Sequence, residues 1–377
     1  MSSNIREFAQ RIPPSVKWAI FVVLAAKILL LAIGYAVTIF VVGYHSQPWN
    51  IVAYSFAKWD GPNFVRLAKG GYVNTGDAAN LIVYFPLYPF LIRIFTINFN
   101  YADLTAMAIS NVFSGIAFSY LYKLAKLEFN EKVAFRAVLF LSIFPTAYFL
   151  TAPYTESLFF AFVLSSLYYS RIGKWQLAGI TSFFASLTRL PGLLMFPVLV
   201  TEYLNSKGWS PRKISKNIVW AFSSIGGFLI YLNINNQVTG NPFTFVTVQA
   251  NHFFERFSPK DGLMAAYYFG TTSAYPNNIT LGIAPLGFAV FGLIVIALAV
   301  WKRFRPVYIV YTFLSWAFAV SVSFWISVPR YIMAMLPMFM LFGLLSNRKL
   351  ITIVSSLVSL SLLCFFTILF VRGWWPF

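Results

Sequence analysis

Residues 18–42 read WAIFVVLAAKILLLAIGYAVTIFVV, a stretch of 25 residues in which Lys27 is the single charged side chain. A helix needs about 20 apolar residues to cross the hydrocarbon core of a bilayer. Arg6, Arg11 and Lys17 precede the stretch, and no small-residue cleavage site follows it. These features predict an uncleaved membrane-spanning helix whose N-terminus lies in the cytoplasm.

The composition extends this prediction to the whole chain. Of 377 residues, 59% are hydrophobic and 10% are charged, against roughly 25% charged residues in soluble domains, which excludes a water-soluble globule. Further apolar runs lie at 104–124, 133–151, 155–171, 175–188, 190–204, 217–238, 281–301, 306–325, 330–346 and 350–371. Together they predict an all-α polytopic membrane protein with about eleven transmembrane helices, in which residues 1–377 form one integral membrane domain.

The lysines and arginines predict the orientation of the chain. Segment 81–99 is apolar but contains Pro86 and Pro89. If it lies in the membrane interface without crossing, most of the 28 cations fall on the cytoplasmic side, as the positive-inside rule requires. If it crosses the membrane instead, the basic stretch 207–216 is exported. The first arrangement is therefore favoured.

This orientation decides where a functional site is expected. Loops 43–103 and 239–280 face the non-cytoplasmic side, and 175–204 is expected to form a broken helix pair that reaches the same face near Arg189. The second loop is dense in aromatic residues, which suits a lipid tail or a sugar, although for any one of them an interfacial aromatic belt is the favoured explanation. The membrane is expected to be a prokaryotic plasma membrane or the endoplasmic reticulum.

Few side chains are available for metal or redox chemistry. The chain has one cysteine, Cys364, and two histidines, His45 and His252. A disulfide framework and a cysteine cluster for metal are therefore excluded, and we expect no metal and no cofactor. The net charge of +18 is accounted for by cytoplasmic loops, so the expected surroundings are membrane lipids and no nucleic-acid partner is expected.

The first outer loop contains a candidate catalytic carboxylate. Residues 56–72 read FAKWDGPNFVRLAKGGY, in which Pro62 and the glycine pair 70–71 predict the start and the end of a short amphipathic helix. Asp60 then lies just before the helix N-terminus, where the helix dipole favours an ionised carboxylate, which suits a general base or a cation ligand. The alternative is that Asp60 only caps the helix.

Three further charged residues are predicted at the same membrane edge, each beside a proline turn at the end of an apolar run: Glu156, Arg189 and Arg330. Charges placed there are costly and indicate functional sites, and guanidinium groups bind phosphate oxygens in a fork. We therefore expect Arg189 and Arg330, with the adjacent Tyr331, to bind a phosphorylated ligand and Glu156 to be a second catalytic carboxylate. Alternatively, the arginines pair structurally with Glu156 and Asp60, or extend towards lipid headgroups.

Four short blocks, in this order, resemble the PIG-V-like mannosyltransferases, a branch of the GT-C membrane glycosyltransferases. The blocks are Trp59-Asp60-Gly61 with YFPLYP at 84–89, PTAY at 145–148 with YTESLF at 154–159, Thr188-Arg189, and Arg330-Tyr331 before Pro337. The resemblance thus covers the chain from about residue 56 to residue 340.

The resemblance implies an enzyme that moves a sugar, usually mannose, from a polyprenyl (dolichyl) phosphate donor to a lipid-linked or glycan acceptor on the non-cytoplasmic face. In relatives that build GPI anchors the acceptor is a glycolipid, although nothing in this sequence specifies GPI anchors. Asp60 corresponds to the general base of that family, and the reaction inverts configuration. Trp59, Asn63 and Tyr72 are the expected acceptor or loop contacts, but Asn63-Phe64 stands where relatives tend to have an aromatic or histidine pair.

The competing class is a transporter or flippase for lipid-linked sugars or small solutes, in which broken helices and intramembrane charges form a substrate path. Charges that gather on one face, without a visible inverted repeat, favour the enzyme.

Overall fold

The fold is almost entirely helical. The computed structural model describes residues 13–375, and within that range the β contact is an isolated antiparallel bridge between Phe257 and Val322. The prediction of an all-α protein is therefore confirmed. The part of the orientation argument that rests on Arg6 and Arg11 falls outside the described residues.

The first third of the chain leads from a long apolar helix into a loop of short helices. Its helices are α1 (Pro14–Val37), α2 (Pro48–Phe56), α3 (Asp60–Gly70), α4 (Leu87–Phe95) and α5 (Ala102–Glu128). A π-helical turn, Thr38–Val42, continues α1 to Gly43, whose φ of 77° ends the helix. This first helix covers the whole apolar stretch 18–42.

The middle third consists of helices of intermediate length. They are α6 (Glu131–Ser142), α7 (Glu156–Arg171), α8 (Trp175–Thr188), α9 (Met195–Ser206) and α10 (Ser223–Thr239). Turns of 3₁₀ helix precede three of them, at Ala147–Leu150, Leu190–Leu194 and Lys216–Phe222.

The last third combines two long apolar helices with five shorter ones. It contains α11 (Thr244–His252), α12 (Pro259–Thr272), α13 (Ala284–Trp301), α14 (Pro306–Ala319), α15 (Val328–Met333), α16 (Pro337–Leu345) and α17 (Lys349–Val371). A π-helical turn, Asn278–Ile283, runs directly into α13, and a 3₁₀ turn, Trp325–Ser327, precedes α15.

Among the described residues, five segments are long and apolar enough to cross a membrane, and up to seven if each bent helix pair forms one span. The five are Pro14–Val42, Phe99–Glu128, Lys216–Thr239, Asn278–Trp301 and Lys349–Val371. The other predicted runs are helical over most of their length, but each is short or interrupted. The membrane character is thus confirmed, whereas the number of eleven spans stays a prediction.

Prolines account for several of the interruptions, because proline lacks the backbone N–H that a helix interior requires. α6 ends at Ser142, three residues before Pro145. The helical segment Trp325–Met333, which includes α15, makes a bend of 65° with α16. Helix α16 starts at Pro337. Segment 81–99 is not a straight helix either, since the chain bends by 115° between the 3₁₀ helix Asp77–Val83 and α4, near Pro86. Its interfacial placement stays a prediction.

The predicted break within 175–204 is confirmed. α8 ends at Thr188, Arg189 is extended with φ −157°, and a 3₁₀ turn leads into α9. A Cβ atom on Gly192 would lie 2.3 Å from the carbonyl oxygen of Ala185, so only glycine lets the turn fold back against the last turn of α8. Arg189 consequently lies at the tip of the break.

A partly buried ionic cluster joins α5, α7 and α9 to the start of α14. Arg171, the last residue of α7, donates to Glu128 at 2.5 Å and to Glu202 at 3.3 Å. Arg305 Nε donates to Glu202 Oε2 at 2.9 Å. We call Glu128, Arg171, Glu202 and Arg305 the inner cluster. Its two arginines belong to the cations that the sequence assigns to the cytoplasmic side.

Candidate active site

Asp60 is the first residue of α3. Trp59 precedes the helix with φ 53°, a left-handed conformation that is rare for a bulky side chain. No side chain makes a capping hydrogen bond at this helix start. The expected start at Pro62 is therefore wrong by two residues, and the carboxylate of Asp60 is directed to partners outside its own helix.

Two side chains from distant parts of the chain bind the Asp60 carboxylate. The Tyr84 hydroxyl donates to Oδ1 at 2.8 Å, and Arg330 Nη1 donates to Oδ2 at 3.3 Å. Tyr84 is itself held by Asn63, whose Nδ2 donates to its hydroxyl at 3.0 Å, and by Tyr72, whose hydroxyl donates to its backbone oxygen at 2.6 Å. Asn63 and Tyr72, expected as acceptor or loop contacts, thus lie in the layer that supports the carboxylate.

The predicted charged residues meet at one place. Glu156, the first residue of α7, accepts hydrogen bonds from both Arg189 and Arg330 on its Oε1 atom. Arg330 reaches Asp60 as well, so the four side chains form a continuous and electrically neutral chain. We call Asp60, Glu156, Arg189 and Arg330 the outer cluster. The structural pairing that the sequence left open as an alternative is present.

Aromatic rings enclose the two arginines. The Arg330 guanidinium lies 4.7 Å from the ring centroids of both Phe149 and Tyr154, and Arg330 is 7% exposed. The Arg189 guanidinium lies 5.4 Å from the Tyr331 ring. Such cation–π contacts stabilise a guanidinium that has lost its hydration. Tyr331 therefore lies beside Arg189, and its expected role in binding a phosphorylated ligand stays a prediction.

Backbone contacts connect the turn before α3 to the start of α7. The Tyr154 hydroxyl donates to the backbone oxygen of Lys58 at 2.8 Å. A Cβ atom on Gly61 would lie 3.0 Å from Cγ of Pro153, which explains a small residue directly after Asp60. The two segments that carry the carboxylates Asp60 and Glu156 are thus packed against each other.

The four charges differ in their access to solvent. The exposed fraction of the side chain is 27% for Asp60 and 14% for Arg189, but 8% for Arg330 and 2% for Glu156. Asp60 is therefore the member of the outer cluster that a molecule from outside can reach most easily. Arg189 is the next most accessible member. Among the described residues, its hydrogen-bond partners are Glu156 and Thr155.

A small pocket opens beside the outer cluster. Its polar end is formed by Glu156, Arg189, Arg330 and Tyr331, and its remaining wall consists mostly of apolar residues: Phe159, Phe160, Pro191, Phe318 and Ala334. The Oε2 atom of Glu156 is buried and has no hydrogen-bond partner within residues 13–375. The lining of this pocket thus combines charged and hydroxyl groups with apolar side chains, which matches the chemistry of a ligand with an anionic, hydroxyl-bearing end and an apolar body.

Glu255 is a carboxylate near this site that sequence reasoning did not single out. It follows α11, in a segment that is hydrogen-bonded to residues 321–323. One of these bonds is donated by the Ser258 backbone N–H to the Ser321 carbonyl oxygen at 3.0 Å. Gln249 donates a hydrogen bond to it. Burial raises the pKa of the Glu255 carboxyl above its ordinary value, and the negative charge of Asp60 acts in the same direction. The aromatic density of loop 239–280 was the available signal, but it did not point to this acid.

Comparison with known families gives one match. A family model of dolichyl-phosphate-mannose-protein mannosyltransferases matches residues 85–234. The matched stretch contains Glu156 and Arg189, and Asp60 and Arg330 lie outside it. The match supports a membrane glycosyltransferase, in agreement with the resemblance to GT-C enzymes. The narrower resemblance to PIG-V-like enzymes stays a prediction.

Among solved structures, the chain is similar to the oligosaccharyltransferase of Archaeoglobus fulgidus, crystallised with a tethered acceptor peptide containing the NVT sequon. The TM-score is 0.46 and the sequence identity 12%. The alignment covers 95% of this chain and 55% of that chain, so the chain spans about half the length of that protein. No curated protein matches the sequence.

Proposed function

We propose that the protein transfers mannose from a polyprenyl-phosphate donor to a hydroxyl group of a lipid-linked or glycan acceptor, on the non-cytoplasmic face of its membrane. The observation that carries this proposal is the outer cluster, in which an accessible carboxylate, Asp60, is bound to one of the two arginines that line a mostly apolar pocket. The matched mannosyltransferase family supports the sugar and the lipid carrier.

The pocket suits a donor with a charged head and an isoprenoid tail. Arg189 and Arg330 provide guanidinium groups for the phosphate, and the apolar wall accepts the first isoprene units. During transfer, negative charge develops on the departing phosphate, and two fixed arginines in a site of low polarity stabilise that charge. Phosphate leaves as an anion, so no acid is needed to protonate it.

Asp60 is the proposed general base. Its Oδ1 and Oδ2 atoms are oriented by Tyr84 and Arg330, and a carboxylate has room for further hydrogen bonds beyond these two. The acceptor hydroxyl approaches from the exposed side, gives its proton to Asp60, and attacks the anomeric carbon through an oxocarbenium-like state. A single displacement inverts the configuration at that carbon.

Glu156 is proposed to touch the sugar and to hold the arginines. Its Oε1 atom already accepts from both guanidinium groups, whereas its buried Oε2 atom has no partner among the described residues. A buried acceptor without a partner is costly, and a sugar hydroxyl in the pocket would satisfy it. Glu156 then orients the donor while Asp60 moves the proton.

The test compares Asp60→Asn with Asp77→Asn, an exposed carboxylate of the same loop. Purified proteins are incubated in lipid with polyprenyl-phosphate mannose, and separately with nucleotide sugars. Asn keeps the shape of Asp60 but cannot accept the proton, so turnover should fall by about 10²–10⁴, while Asp77→Asn should match the parent.

An inserted Asp60→Asn protein that works within a few-fold of the parent would remove Asp60 from the mechanism. Uptake of the donor without turnover by the parent protein would favour the transporter class, and turnover of nucleotide sugars alone would exclude the lipid-linked donor.

A further inference from the structure

The segment after the last helix reaches the turn that carries Asp60. Helix α17 ends at Val371, and Gly373 takes up φ 78°. The N–H groups of Gly373 and Trp374 return to the carbonyl oxygens of Phe370 and Leu369 at 3.0 and 3.1 Å. This left-handed turn directs the chain back across the end of the bundle. The Trp375 ring then lies against the Trp59 ring, with 4.1 Å between the centroids.

Trp59 has an unusual backbone that needs support. Its φ of 53° and ψ of −110° lie outside the regions that a tryptophan prefers, and such a conformation persists only where surrounding contacts hold it. Tyr154 binds the neighbouring Lys58 backbone oxygen, and Pro153 packs on Gly61. The Trp59 side chain itself is 39% exposed, and Trp375 is the ring that contacts it.

The same segment also supports Arg330. The Phe370 ring, one turn before Gly373, lies 5.7 Å from the ring of Phe149 and 6.2 Å from that of Tyr154. Those two rings enclose the Arg330 guanidinium. The end of α17 and the residue Trp375 thus pack against rings that adjoin each partner of the Arg330–Asp60 pair: Phe149 and Tyr154 beside Arg330, and Trp59 beside Asp60.

We propose that Trp375 is a positioning residue for the reaction: its ring holds Trp59 in the left-handed conformation and thereby fixes Asp60 against Tyr84 and Arg330. This inference rests on the proposed role of Asp60 as general base. Trp375 itself is not assigned contact with the reacting atoms. Its effect is on the rate of the proton-transfer step and not on binding of the donor, because the pocket beside Arg189 does not include it.

The chain offers a matched control in the neighbouring residue. Trp374 is 39% exposed, and no ring contact involves it within the described residues. Trp375→Ala, Trp375→Phe and Trp374→Ala are compared in two measurements. The first is hydrogen exchange of the backbone amides in peptides that cover residues 58–64, and the second is steady-state turnover with separate determination of kcat and of KM for the donor.

Trp375→Ala should speed local exchange at 58–64 about two- to tenfold, the range that loss of one aromatic pair produces. kcat should fall while the donor KM stays within twofold of the parent value. Trp375→Phe keeps a ring and should recover most of both properties, and Trp374→Ala should leave both unchanged.

A second variant separates positioning from general destabilisation. Glycine accepts a positive φ without strain, so in a Trp59→Gly background the further change Trp375→Ala should alter neither exchange nor kcat. Equal effects of Trp375→Ala in both backgrounds would overturn the proposal. Unchanged exchange in Trp375→Ala would overturn it as well, and so would altered exchange with an unchanged kcat.

Failure of the proposed function is distinguishable from failure of this inference. If the parent protein turns over no polyprenyl-phosphate sugar, the proposed function is wrong. The exchange measurement and the Trp59→Gly cycle would still decide whether Trp375 orders the turn at Asp60.

Discussion

Replacing Glu156 by glutamine tests the outer cluster by removing the single negative charge that both arginines share. Breaking a buried ion pair by neutralising one partner costs about 3–5 kcal/mol, because the other charge stays buried without compensation. Here Asp60 still compensates Arg330 at 3.3 Å, so Arg189 is the group left without an acid. Its side chain is 14% exposed, which lets some water reach it. These two features place the loss near the lower end, about 3 kcal/mol.

The free energy of unfolding would be measured in mixed micelles with an increasing fraction of denaturing detergent, followed by tryptophan fluorescence. Glu131→Gln is the matched control, because its pair with Lys126 lies at the surface, with 45% and 49% of the side chains exposed. Exposed pairs contribute little to stability. A Glu156→Gln protein as stable as Glu131→Gln would refute the view that the outer cluster is a buried, interdependent network.

The double variant Glu156→Gln with Arg189→Met sharpens the test. It removes the uncompensated charge together with the acid, and replacing a buried pair by apolar groups is often neutral. It should recover most of the stability that Glu156→Gln loses. No recovery would show that the loss comes from packing and not from charge.

Two further predictions concern pH and orientation. Burial raises the pKa of Glu255, so the neutral carboxyl contributes stability that is fully present below about pH 4 and is lost as the pH rises through the folded-state pKa. Glu255→Gln should therefore have a higher Tm than the parent near neutral pH and an equal Tm in acid, whereas equal Tm values throughout would contradict the prediction. For orientation, after Cys364 is replaced by serine, a cysteine at exposed Asn74 should react with an impermeant maleimide on intact cells, and one at exposed Lys213 should not; the opposite labelling would invert the assigned faces.

The meeting of Asp60, Glu156, Arg189 and Arg330 was predictable in outline. Charges at the ends of apolar runs lie near a membrane surface, and charges assigned to the same surface of a bundle are expected to lie close to one another. Their individual pairings were not predictable, because Arg330 lies 270 residues from Asp60 and packing decides which side chain reaches which. The inner cluster shows the same behaviour, since Arg171 and Arg305 were assigned to one side and both bind Glu202.

The start of α3 was misjudged for a local reason. Proline is favoured in the first turn of a helix, so Pro62 pointed to a start at that residue. The residue with positive φ is Trp59, and a tryptophan gives no sequence signal for such a backbone, unlike glycine or asparagine. The turn depends on partners far along the chain, Tyr154 and Trp375. The sequence marked Tyr84 only as part of a family-like block and gave no sign that it binds Asp60. The 115° bend that follows it could not be predicted from a hydropathy pattern.

Helix α7 has a consequence of its own. Its first residue, Glu156, belongs to the outer cluster and its last, Arg171, to the inner cluster, an arrangement that also matches the helix dipole. Its 16 residues span about 24 Å. Since ion pairs hold both ends, buried at Glu156 and partly buried at Arg171, α7 cannot slide or tilt without breaking one of them. The helix therefore holds the outer cluster and the inner cluster at a fixed distance from each other. We therefore expect the distance between the outer and inner clusters to change little when the surrounding bilayer thickens or thins.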